Sequence, residues 1–305
     1  MGSIVNFPKA KIKSTTQTTT TISSAAVGLL IIVLTTTSSG VLNAWAADLI
    51  GTSGPDTLDG TNEDDNIYGL GGNDRISDGL GSDKVYAGNG DDTLELDGVG
   101  GYPYDTNSQD IAYGEAGRDN VVARDVQGFM VIYGGGDGDI IFADLSHGQI
   151  YAQGGNDEIR TGDADYDVWA GPGNDYIDGA SECGIRNAYG EAGNDRIISP
   201  NDFASGGPGN DYIEFRDCLG VAYGDSGNDE LRASAEYSGY ELHGGSGNDN
   251  VIGESNDDQL FGESNNDILT GDEGADSFSC GTGIDTITDF NAAEGDTKTA
   301  DCENF

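Results

Sequence analysis

A nine-residue frame repeats along this chain, and a chain that restates one frame at constant spacing has few folds open to it. From Ile50 the units "IGTSGPDTL", "DGTNEDDNI", "YGLGGNDRI", "SDGLGSDKV" and "YAGNGDDTL" follow without a gap to Leu94, each with Asp in seventh place and an aliphatic residue in ninth. The frame returns from His243 to Ile287 as "HGGSGNDNV", "IGESNDDQL", "FGESNNDIL", "TGDEGADSF" and "SCGTGIDTI". Between these blocks it restarts at Tyr113, Tyr133, Tyr151, Trp169, Tyr189, Ser205 and Tyr223, at intervals of 16 to 20 residues. A spacing near eighteen is two units. One coil therefore has two sides, and in mid-chain only one side keeps the motif.

Each unit reads as a minimal strand followed by a tight loop. The aliphatic residue points inward while its neighbours point out, by the period-two alternation of strands. The glycines supply positive φ for the turn. Turning back every nine residues stacks each strand about 4.8 Å from its equivalent in the next coil, in two parallel sheets. The interior is expected to hold two columns. One contains Val121, Ile141, Ile159, Ile177, Ile197, Ile213, Leu231 and Val251; the facing one contains Ile132, Ile150, Val168, Ala188, Ala204, Ala222 and Leu242.

So thin a core needs help, and composition says where it comes from. Among 305 residues there are 50 Gly and 55 Asp plus Glu against 13 Lys plus Arg, a formal charge of -42. Low hydrophobicity with such charge ordinarily means disorder, but the regular apolar positions set this chain apart. The acidity excludes nucleic acid, whose phosphates call for a positive surface, and points to cations. Each loop offers an Asp carboxylate and carbonyl oxygens, with no Cys or His in the motif. Such hard oxygen ligands select Ca²⁺ over zinc or copper, and Mg²⁺ demands a tighter octahedron. One loop is half a site, so multiple ions would sit between loops of successive coils.

The frame G-x-x-G-[ND]-D-x-[ILV], as in "GLGGNDRI", "GEAGNDRI" and "GGSGNDNV", resembles the nonapeptide of the RTX, or hemolysin-type, calcium-binding family. The resemblance runs from Ile50 to about Asp296. It implies an all-β parallel β-roll of about 13 coils, two short parallel sheets joined by Gly- and Asp-rich calcium-binding loops. The matching positions are Asp56, Asp65, Asp74, Asp83, Asp92, Asp119, Asp139, Asp157, Asp175, Asp195, Asp211, Asp229, Asp249, Asp258, Asp267, Asp276 and Asp285, and Asp110 matches more weakly. One loop departs from the pattern, since "YGGGDGDII" puts Asp137 where the fourth loop glycine belongs.

The first 46 residues follow another rule. They hold no Asp or Glu, carry Lys9, Lys11 and Lys13, pass through a Thr-rich stretch into "AAVGLLIIVL" at Ala25 to Leu34, and end near Ala44-Trp45-Ala46. This reads as a secretory signal peptide, with an uncleaved anchor as the alternative. The expected division is a signal at 1–46, the roll at 47–290 and an acidic tail or cap at 291–305. The remaining chain, with 10 basic against 55 acidic side chains, would be secreted or held at the cell surface, without a transmembrane domain.

Three further features bear on function. The motif-poor turns between Val122 and Leu242 hold Arg124, Arg160, Arg186, Arg216 and Arg232. Arg–Asp pairing and packing in place of ions is the plain reading, and a surface for an anionic partner or another subunit is the sharper one. A column of Tyr113, Tyr133, Tyr151, Trp169, Tyr189 and Tyr223 should point outward and stack, stabilising the sheet or offering a strip for sugars. Four cysteines beyond the signal permit two disulfides. Cys280 with Cys302 is the expected bridge across the last coil, while Cys183 and Cys218 lie nominally about 9.6 Å apart, too far unless an insertion leans over.

No zinc, phosphate-loop, nucleophile-elbow or dinucleotide motif appears, and the repeats leave no room for a catalytic domain, so no enzyme is expected. The reading is a secreted calcium-binding β-roll that folds on binding Ca²⁺, in a structural, cell-surface or matrix role. Its rival is a calcium-dependent adhesin or glycan-binding protein, with cell-surface glycan or self-association as the partner. An extracellular polysaccharide-modifying enzyme ranks behind both.

Overall fold

The computed structural model describes residues 48–97, 109–124, 128–144, 147–162, 165–179, 184–216, 220–233 and 239–304, preceded by Thr35–Thr36, Leu42–Asn43 and residue 46. The proposed signal and its apolar stretch thus fall almost wholly outside the described residues, as do Cys183 and Cys218. Thr35–Thr36 and Leu42–Asn43 pair antiparallel.

From Asp48 onward the chain winds as the repeat requires. Strands alternate between sheet I, fourteen strands from Asp48–Ile50 to Thr297–Lys298, and sheet II, thirteen strands from Thr57–Asp59 to Thr286–Ile287. Each strand pairs in parallel with its equivalent one coil away, as Ile132 with Ile150 in sheet I and Val121 with Ile141 in sheet II. No helix occurs among the described residues. The architecture is the expected parallel β-roll.

Every residue named above for the two inner columns is fully buried. The interior is nevertheless wider than two columns on the motif-poor side. There sheet I strands begin earlier and run to eight residues, as in Phe129–Gly136 and His147–Gly154, against six in Asn66–Gly71 or Gln259–Ser264. The extension points Met130, Tyr166 and Ile185 inward, and sheet II adds Leu96, Ala123, Ala143, Phe215 and Ala233. Where the loop motif disappears, apolar side chains fill the corner instead. The plain reading of that side therefore holds for packing. Its arginines also find partners within the chain: Arg160 with Glu158, Arg186 with Asp167, Arg216 with Glu214, Arg232 with Glu254, and Arg124 over the Phe142 ring. These pairs are half-exposed, so each contributes little.

On the outer face of sheet I the aromatic column is longer than the sequence suggested. It runs through Tyr68, Tyr86, Tyr113, Tyr133, Tyr151, Trp169, Tyr189, Phe203, Tyr223, His243 and Phe261, with centroids 4.3 to 5.7 Å apart. Ser205 holds the ring position in the register between Tyr189 and Tyr223. Phe203, two residues earlier on the same face, leans across to close the gap, tilted 40° and 35° from its neighbours. Each stacked pair adds on the order of 0.2 to 1 kcal/mol.

Glycine does not supply all of the positive φ. Down the turn after sheet I, Leu70, Glu115, Gln153, Glu191, Asp225 and Glu263, with φ from 69° to 79°, alternate coil by coil with Gly88, Gly135, Gly171, Gly207, Gly245 and Gly281. The carbonyl oxygen of each left-handed residue lies where the side chain of the next coil would start. At Gly207, with φ of 97°, a Cβ would stand 1.9 Å from the Glu191 oxygen. Gly207→Ala is therefore expected to lower the stability of the folded roll by at least about 2 kcal/mol, whereas Glu191→Gly stays within about 1 kcal/mol. Denaturation midpoints of the two variants check this.

The last coil is closed by carboxylates of the tail. Asp301 accepts the N–H of Gly281, Glu303 that of Asp285, and Asp296 that of Asp276, taking the places a further coil would occupy. The Cys280–Cys302 disulfide, as expected, ties this segment down.

Candidate metal sites

The loop aspartates form ladders. On the side that keeps the motif, thirteen of them stack in line: Asp56, Asp74, Asp92, Asp119, Asp139, Asp157, Asp175, Asp195, Asp211, Asp229, Asp249, Asp267 and Asp285. The backbone N–H of each donates to Oδ1 of the next at 2.7 to 2.9 Å. A parallel strand pairing advances the chain by one coil, so identical residues fall on one another and each carboxylate meets the amide one coil back. Among the described residues, the opposite side repeats the arrangement at its ends. Asp65, Asp83 and Asp110 are linked in this way near the start, and Asp258, Asp276 and Asp296 near the finish. Between them, Met130 is paired with Asp110 in register and begins the apolar stretch. Asp110, the weaker match, is buried and belongs to the ladder.

A second ladder runs beside the first. Asn156, Asn174, Asn194, Asn210, Asn228, Asn248 and Asn266, each just before a ladder Asp, stand one above the other. The Oδ1 of one accepts the N–H of its equivalent in the following coil, as Asn174 does from Asn194 at 2.7 Å. The frame showed the [ND] choice at this place. Its role appears only once coils are stacked.

One oxygen of each Asp is thereby used, and the other is not. Oδ2 of Asp74, Asp83, Asp92, Asp119, Asp139, Asp157, Asp175, Asp195, Asp211, Asp229, Asp249, Asp258, Asp267, Asp276 and Asp285 is buried and meets no hydrogen-bond donor. Two of the seventeen sequence-derived positions differ. Oδ2 of Asp56 accepts from Thr52, and Oδ2 of Asp65 accepts from the N–H of Thr61. The loop with Asp137 does not differ: Asp137 takes φ of 72° in the glycine's stead, and Asp139 stands in the ladder like the rest.

Electrostatics follows from the burial. Desolvation, with neighbouring carboxylates adding to it, pushes Asp83, Asp119, Asp175, Asp211, Asp229, Asp258 and Asp267 up to about 7 and Asp139 up to about 8. A line of buried carboxylate oxygens without donors is costly unless each takes a proton or a cation. The donors are hard oxygens and the side chains rigidly held, a set that fits Ca²⁺. The glycine five residues before the Asp leaves room for this oxygen. A Cβ at Gly69, Gly114, Gly134, Gly190, Gly206, Gly224, Gly244, Gly253, Gly262 or Gly271 would stand 2.3 to 2.8 Å from Oδ2.

The family model of the RTX calcium-binding nonapeptide repeat, in four copies, matches residues 50–77, 68–98, 151–181, 201–215, 243–278 and 255–287. No curated protein matches the chain.

Proposed function

The chain belongs to the RTX calcium-binding nonapeptide-repeat family, and from that premise we propose that it is a secreted β-roll that folds when Ca²⁺ binds its loops and serves a structural or cell-surface role. The observation that carries this reading is the row of buried, donor-less Oδ2 atoms. Bound calcium would supply the positive charge that these atoms lack, and the residues to hold it are the seventeen loop aspartates named above together with Asp110. Residues 1–46 would direct export, 47–290 form the roll and 291–305 cap it. No helix among the described residues is long and apolar enough to cross a membrane.

The physics is coupled binding and folding. Without cations, like charges one coil apart repel and their burial is opposed. An ion between successive loops removes both penalties and stabilises the roll by mass action. Affinity in the range of extracellular modules, roughly 10⁻⁴ to 10⁻³ M, would make outside calcium the folding signal. A glycan-binding role finds less support. The rings of the aromatic column lie over one another, so their faces are taken up except at the column's ends, and the arginines of the motif-poor side are paired within the chain.

Far-UV circular dichroism of residues 48–305 during titration tests the proposal. A cooperative rise of β signal with Ca²⁺ and none with Mg²⁺ is expected. Full β signal in chelator would overturn calcium-dependent folding.

A further inference from the structure

One unit of the repeat breaks its own rule. In "SDGLGSDKV" the place five residues before the loop Asp, glycine in most units, is taken by Asp78. Asp78 is buried, and its carboxylate, that of Asp83 and that of Asp110 each bring an oxygen within 4.8 Å of the others. Ten other units show what lies at that spot: the side chain of the residue there would start 2.3 to 2.8 Å from the loop Asp Oδ2. Asp78 occupies the place that in those units faces the loop Asp Oδ2, and the Oδ2 of Asp83, a residue 1% exposed, is buried and meets no donor. Three carboxylates gather in one buried corner.

Their position along the chain adds a reason. Asp83 and Asp110 are 27 residues apart, whereas ladder neighbours such as Asp175, Asp195 and Asp211 are separated by 20 and 16. This coil contains a longer connection, and closing it costs more chain entropy. A cation shared by Asp78 and Asp83 on one coil and Asp110 on the next would hold the two ends of that connection together.

We propose that Asp78, Asp83 and Asp110 form a distinct calcium site, the tightest of the roll, which clamps the long coil between residues 83 and 110. The inference rests on the calcium reading of the loops and adds to it a carboxylate that the nonapeptide does not supply. Affinity for Ca²⁺ rises with the number of charged ligands and the rigidity of the site, and this site exceeds its neighbours in the first.

The test is isothermal titration of the full chain with CaCl₂, after treatment with chelator, for the wild type, Asp78→Asn and Asp78→Gly. The asparagine keeps the shape and removes the charge, while the glycine restores the residue that most units carry and so preserves the fold. The wild type should show one equivalent of Ca²⁺ bound about tenfold or more tightly than the rest. Both variants should lose that equivalent and retain the others. An unchanged tightest class in either variant, or a wild type with a single class, overturns the clamp and leaves the loop sites standing. Absence of Ca²⁺ binding by the wild type overturns both readings together.

Discussion

In chelator at neutral pH, residues 48–305 should scatter as an expanded chain with a radius of gyration of about 56 Å, and saturating Ca²⁺ should contract it to about 20 Å. The second value follows from geometry. Fourteen strands in sheet I, spaced about 4.8 Å, make a rod about 62 Å long, and a rod of that length two sheets thick has a radius of gyration near 20 Å. The first value follows from the balance of forces. The aliphatic columns bury one side chain per strand, and several coils have only alanine at the sheet I position, as at Ala188, Ala204 and Ala222. Against that stand buried carboxylates at every coil. Small-angle X-ray scattering measures the change directly, and a radius near 20 Å in chelator would mean that burial alone holds the roll.

Acid should do part of what calcium does. In the ion-free roll Asp119, Asp175 and Asp211 titrate near 7 and Asp139 near 8, chiefly because burial disfavours the charged form. In the unfolded chain the same groups titrate near 3.9. Between about pH 4 and pH 8 the folded state thus binds more protons than the unfolded one, and stability falls as pH rises through that window. The ion-free chain is expected to gain β structure when acidified from pH 8 to about 5, and to lose it on return. With Ca²⁺ present the relation reverses, because protons displace the ion and the calcium midpoint must move to higher concentration at lower pH. Circular dichroism at pH 5 and pH 8, in chelator and in calcium, covers all four conditions. An ion-free chain that is equally unfolded at both pH values would mean that the carboxylates are not what opposes folding.

Much of this was legible in the residues, for an identifiable reason. In a stack of equivalent coils each unit touches only its neighbours, so the register of one pair predicts the register of all. The spacing of Val121, Ile141 and Ile159 was enough to align sheet II, and that of Ile132, Ile150 and Val168 to align sheet I. The seventh-place Asp placed the ladders by the same logic.

What the sequence by itself determined is everything that repeats: the two parallel sheets, the inward aliphatic columns, the outward rings and the line of loop aspartates, because local spacing and strand alternation decide them without reference to distant residues. The tertiary structure decided what does not repeat. Only the stacked coils bring Phe203 across to replace a ring missing at Ser205, set Glu191 and Gly207 in alternation, turn Met130 and Tyr166 into the space vacated by aspartates, and place Asp78 beside Asp110. These depend on which side chain from a neighbouring coil fills a given volume, and insertions of unequal length make that a property of the packed molecule.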